Sequence, residues 1–209
     1  MDRLSFTTLH LLALLVLLPG LLWAGSPDLD PAGARDAGMA AGMETSLPEP
    51  GLAVLYIDGF FRNIDQMPAG TDAFRRGRRG APVLLLDQKG GRQDPVFASG
   101  RSRGVGMILT GLLRLDTPGT YRWQALANDG IRMTAGGRLL FEDPGVHGDR
   151  LTPVGQLQVA RPGWYPVTIL YFQRKGTSAL RLFWQPPGAP AFSLVPASVF
   201  WHRGDARRN

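Results

Sequence analysis

Two six-residue stretches, PGTYRW at 118–123 and PGWYPV at 162–167, constrain this chain more than any other feature. In each, proline presets the backbone of a tight bend, glycine takes a torsion angle that other residues avoid, and an aromatic strand begins at once. After the first, Tyr121, Trp123, Ala125 and Ala127 alternate with Arg122, Gln124 and Leu126. After the second, Tyr165, Val167, Ile169 and Tyr171 share one face. Such a period of two, apolar on one side, describes a strand lying on a core. Two copies of the device read as equivalent positions in a fold of two stacked sheets.

The rest of the chain supplies further strands and little else. Residues 52–57 (LAVLYI) are closed by Asp58-Gly59, 105–115 (VGMILTGLLRL) form a longer strand, and 178–185 alternate Leu180, Leu182 and Trp184 with Arg181, Phe183 and Gln185. Residues 82–86 read as a short edge strand, because a proline at its start is tolerated there. Residues 193–200 make a closing segment, and 63–79, which have no periodicity, read as a long loop. With 27 glycines and 17 prolines among 209 residues, tight turns are plentiful. The expectation is an all-β domain over 51–201, an antiparallel β-sandwich or flattened barrel of about nine or ten strands.

The ends differ from this domain. Residues 1–24 carry an apolar run, Pro19-Gly20 and a small Ala24, the pattern of a signal peptide cut after Ala24; Leu22 is large for that cleavage site, and an uncut anchor is the alternative. Cutting would leave no membrane span and place the protein in a periplasm or outside the cell. Residues 25–50, with five acidic residues against one basic, read as a disordered acidic linker, and 202–209 as a basic tail. The absence of cysteine excludes disulfides and lipidation of an amino-terminal cysteine.

From residue 51 onward 21 basic residues face 11 acidic ones, and all but Lys89 and Lys175 of the 21 are arginine. An anionic partner such as an acidic glycan, lipopolysaccharide or nucleic acid would suit that balance, and so would codon bias with no ligand at all. Arg75, Arg76, Arg78 and Arg79 form the densest run, which reads either as an oxyanion clamp or as a solvated loop. Phosphate-loop and dinucleotide fingerprints are absent, and nucleic acid is not an expected partner.

The landmarks GLAVLYIDG (51–59), PGTYRW, ANDGIR (127–132), GRLL (137–140), PGWYPV, LYF (170–172), LRLFW (180–184) and VPASVF (195–200) follow in an order and spacing that resembles the protective-antigen-type domain. That β-sandwich or barrel occurs in the anthrax toxin translocating subunit and in yeast flocculins and adhesins. The resemblance implies a loop at one end of the sandwich that binds sugar. In sugar-binding members two consecutive aspartates in that loop clasp calcium, a hard cation that takes oxygen ligands, and the ion holds sugar hydroxyls. Here the pair is Asn128-Asp129, with one negative charge fewer. The second loop, QRKGTS (173–178), brings Arg174, Lys175 and Thr177 where oxygens would serve better.

Two readings of Asn128-Asp129-Gly130 therefore stand open. One is a tentative calcium and glycan site on Asn128 and Asp129, with Glu142, Asp143, His147, Arg174, Lys175 and Thr177 along its rim. The other is a plain hairpin turn, in which Asn and Asp bond their own backbone. Catalysis is not expected: His147 and His202 lack an evident nucleophile, and Glu142 with Asp143 reads as a solvated loop. His147, Asp149 and His202 are too few for zinc. The resulting expectation is an exported, non-catalytic module that binds glycan, with a structural or assembly domain recognising a protein or anionic polymer as the alternative.

Overall fold

The computed structural model describes residues 47–204. The expected leader, most of the expected linker and residues 205–209 lie outside the described residues. In chain order the elements are β1 (Pro48–Pro50), β2 (Leu52–Asp58), α1 (Gly70–Arg76), β3 (Arg78–Val83), β4 (Asp87–Gly90), β5 (Val105–Leu115), β6 (Gly119–Asn128), β7 (Ile131–Ala135), β8 (Arg138–Asp143), β9 (Arg150–Leu151), β10 (Gly155–Val159), β11 (Gly163–Gln173), β12 (Ser178–Gln185), β13 (Ser193–Leu194) and β14 (Phe200–Arg203). All the strands are paired antiparallel in two sheets that do not close on each other, which makes the domain an all-β sandwich.

In the first sheet β5 is the spine. Along one side it pairs with β11, which continues through β7 to β8; its other side meets β2 over its first half and β14 over its second. In the second sheet β6 and β12 pair over 122–128, with β10 and β9 sharing the far side of β6, and β4 and β13 sharing that of β12. The aromatic alternation holds: Tyr121, Trp123, Ala125 and Ala127 face inward and are buried, as are Val167, Ile169 and Tyr171, with Tyr165 half-buried at the margin. Each fully buried Leu, Ile or Val in such a core stabilises by about 1.5–3 kcal/mol.

The paired Pro-Gly bends turn out to be corners between the sheets. Residues 116–118 carry the chain from β5 in the first sheet to β6 in the second, and 160–162 carry it back from β10 to β11. Trp123, Tyr121 and Trp184 pack ring against ring just inside the first corner, with centroids 5.6–6.3 Å apart.

Several expectations from sequence are corrected. Residues 63–79 are not a loop: they hold a 3-10 turn at Ile64–Gln66, α1 and the start of β3, and they cover the outer face of the first sheet. Ile64, Met67 and Ala73 pack there against Leu55, Ile57, Phe61 and Phe172. This second core explains why Phe172 is buried beside an inward-facing Tyr171. The edge strand expected at 82–86 runs earlier, over Arg78–Val83, because Gly80 and Pro82 are tolerated on an edge. The linker and tail boundaries also shift, since Pro48–Pro50 pairs with Trp201–Arg203.

Candidate functional site

Asn128 ends β6 in the second sheet, opposite Ala179. The next residue already belongs to the first sheet: the Asp129 N–H donates to the Phe172 carbonyl (3.1 Å), and the Phe172 N–H donates to the Gly130 carbonyl (2.9 Å). The Asn128–Asp129 peptide, which is cis, is therefore the point at which the chain passes between sheets. The hairpin-turn reading is wrong, because β6 and β7 lie in different sheets. Glycine follows for a steric reason. A Cβ at Gly130 would fall on the Phe172 ring and 2.8 Å from the Pro144 carbonyl oxygen.

Both polar side chains at the crossing are buried, Asn128 at 5% and Asp129 at 2% exposure. Burial of unpaired polar groups would be costly, so their partners matter. The Asn128 amide donates to Asp149 Oδ1 (2.9 Å) and Thr177 Oγ1 (3.0 Å), while its backbone carbonyl accepts from the Tyr171 hydroxyl (2.7 Å). The Asp129 carboxylate accepts the backbone N–H of His147 on Oδ1 (3.1 Å) and that of Arg174 on Oδ2 (2.6 Å). Two loops, 144–149 and 173–178, are thus tied to one dipeptide.

The ties extend outward. Lys89 Nζ lies 2.9 Å from Asp149 Oδ2, and His147 Nε2 lies 3.2 Å from Asp143 Oδ2. Arg150 grips Asp143 with both arms of its guanidinium (2.6 and 2.5 Å). Burial pushes the Asp129 carboxyl above its usual range, opposed in part by the backbone N–H groups of Arg174 and His147. Arg150 holds Asp143 below the usual range, and Lys89 followed by Asn128 does the same for Asp149. Burial keeps the Tyr171 phenol protonated.

Of the residues expected at the rim, Asp143, His147, Arg174 and Thr177 join this network directly. Two do not. Glu142 is paired with Arg132, which also reaches Asp65 (2.7 Å), and Lys175 lies over the Phe60 ring, 5.9 Å from its centroid. Sequence reading omitted Lys89, Arg150, Tyr171 and Phe60 from the rim. One signal pointed to the first: the only two lysines of the chain, Lys89 and Lys175, both come to this end of the sandwich.

A calcium ion does not fit this arrangement. Asp129 already accepts a backbone N–H on each oxygen, Asp149 is neutralised by Lys89, and Asp143 is neutralised by Arg150. Among the described residues no three His, Asp or Glu side chains gather as a metal group would require. Arg174, whose backbone N–H donates to Asp129, also brings a cation to this end, and a cation beside a divalent ion is unfavourable. The arginine run near residue 77 is dispersed rather than clamped: Arg75 and Arg76 pair with Asp72, and Arg78 donates to the Ser99 carbonyl. His202 faces Gly51 and Glu49.

No family model and no curated protein matches the sequence. Solved structures do match the fold. An anti-sigma factor domain-containing protein from Clostridium clariflavum superposes with a TM-score of 0.60 at 17% identity, covering 77% of this chain and 49% of its own. The chain thus spans about half the length of that protein. The PA14 domain of the MpAFP antifreeze protein matches over its whole length (TM-score 0.58, 14% identity, 80% of this chain). The PA14 sugar-binding domain of an RTX adhesin matches over 98% of its length (TM-score 0.57, 20% identity, 73% of this chain). The A domain of epithelial adhesin 6 from Candida glabrata, in complex with Galb1-3GlcNAc, matches over 92% of its length (TM-score 0.56, 12% identity, 78% of this chain). A crossing dipeptide at one end of a two-sheet sandwich, the paired Pro-Gly corners and these superpositions agree: the chain has a PA14-like fold.

Proposed function

We propose that this chain is an exported, non-catalytic module that binds glycan at the Asn128–Asp129 end of the sandwich and does so without calcium. The observation that carries the reading is the convergence of Asp149 and Thr177 on the buried Asn128 amide, with Lys89 paired to the other oxygen of Asp149, at one end of a PA14-like fold. Asp149 and Lys89 keep part of their surface in solvent, and together they offer acceptor and donor to vicinal sugar hydroxyls. Beneath them Asn128 and Asp129 are fixed by bonds to both loops, so little ordering is left for binding to supply. The RTX adhesin domain of this fold is sugar-binding and the epithelial adhesin 6 domain is in complex with Galb1-3GlcNAc, which supports the ligand class. The non-catalytic part rests on Glu142 and Asp143 each being committed to an arginine, so that neither is placed as a free acid or base of a carboxylate pair.

The test is a glycan array probed with the described domain in calcium, in chelator and at raised salt, with Asp149→Ala and Lys89→Ala in parallel. Binding to a defined set of glycans that survives chelator and disappears in either variant is expected. Loss of binding in chelator, or no glycan bound under any condition, contradicts the proposal. Binding that falls with salt and ignores both variants favours the other reading, an assembly domain that meets an anionic polymer through its +10 surface.

A further inference from the structure

At the opposite end of the sandwich, where the chain turns through 116–118, lies a cavity of about 450 Å³. Its apolar wall is Trp184, Trp201 and Pro186, and its polar groups are Arg114, Asp116 and Tyr121. We propose that this cavity is a second carbohydrate site, which takes one pyranose ring against Trp184 and Trp201 and holds its hydroxyls through Arg114, Asp116 and Tyr121.

The volume is in the range of small-ligand sites, and the mixture of aromatic walls with a few convergent polar groups is what such sites use. A sugar ring has an apolar C–H face and a polar edge, which an indole and a charged pair match respectively. The polar groups have unspent capacity. Asp116 accepts from Arg114 Nε on Oδ1 alone (3.1 Å), leaving Oδ2 for a hydroxyl. The Arg114 guanidinium also lies over the ring of Trp164 (5.5 Å), which positions its remaining N–H donors. Tyr121, buried at 2% exposure, accepts from the Thr117 N–H (3.3 Å), and its own hydroxyl proton has no acceptor among the described residues.

The aromatic wall is held from behind, so it is in place before a ligand arrives. Trp184 packs on Trp123 and Tyr121, and Trp201 donates its indole N–H to the Ser198 carbonyl (2.7 Å) while meeting Trp164 edge to face (5.5 Å). Nothing in this cavity touches Asn128 or its partners, so the two ends are separable by mutation. The proposal stands whether or not the first site binds glycan.

The experiment is a titration of the ¹⁵N-labelled domain with lactose, cellobiose, maltose and chitobiose, followed through the indole N–H signals of its tryptophans. Saturable shifts of the Trp184 and Trp201 signals with at least one disaccharide are expected. Asp116→Ala and Arg114→Ala change exposed side chains that the core does not need, and each should weaken that binding by about tenfold. Lys89→Ala should leave it unchanged. The proposal is overturned if none of the four sugars moves the two signals, or if both variants bind within about twofold of the native domain.

Discussion

Two turns only eight residues apart, Asn128-Asp129-Gly130 and Gly136-Gly137, are both built from turn-forming residues and do different work. The second is a hairpin between β7 and β8 in one sheet, with both glycines at positive φ (56° and 76°) and an added Cβ at Gly137 meeting nothing. It is held by backbone alone. The first passes between sheets, and its side chains bond residues up to 49 positions away. Turn chemistry in a sequence thus says that the chain bends, whereas the partners of the side chains decide whether the bend also holds the fold together.

This contrast can be broken in order of expected effect. Asp129→Ala leaves the buried N–H groups of His147 and Arg174 without an acceptor, and should cost about 3 kcal/mol in urea unfolding. Gly130→Ala forces Phe172 aside and should cost about 2 kcal/mol, measured the same way. Gly136→Ala places a side chain in left-handed backbone with Leu157 at 3.3 Å, and should cost about 1 kcal/mol. If the hairpin substitution proved the more damaging, the two turns would have been ranked wrongly.

The smallest effect is on pH dependence, and it has opposite signs at the two carboxylates nearest the crossing. Asp143 has a lowered pKa, so its contribution is present above the ordinary aspartate range and is lost as pH falls through the folded value. Asp129 has a raised pKa, so its protonation favours the fold as pH falls. Between pH 6 and 3, Asp143→Asn should flatten the loss of urea midpoint on acidification, and Asp129→Asn should steepen it. Parallel profiles for native protein and both variants would remove the electrostatic part of the account.

How much of this was legible follows from where the information sits. The long strands β5, β6, β11 and β12 announce themselves because each buries one face, and an apolar period of two is local. The bends at Pro118-Gly119 and Pro162-Gly163 were legible from local turn chemistry, whereas their passage between the sheets was not. The 78–83 edge strand was hidden, since Arg78, Arg79, Gly80 and Pro82 carry no alternation and Val83 alone of its residues is buried. The candidate dipeptide was found, but its role was not. Whether Asn128 turns back or crosses depends on Ala179 and Phe172, more than 40 residues on, and no local pattern encodes that pairing. Glu142 was misplaced for a similar reason: Arg132 on β7 takes it, in a cluster completed by Asp65 from a segment that looked like loop.

Native-state hydrogen exchange at the backbone amides of His147 and Arg174 addresses the crossing most directly. Both residues lie outside the regular strands, yet their N–H groups are aimed at a buried carboxylate. The account predicts that they exchange as slowly as the amides of β6 and β11, and that Asp129→Ala releases both together. Exchange as fast as that of the neighbouring Gly148 amide would mean that Asp129 holds nothing.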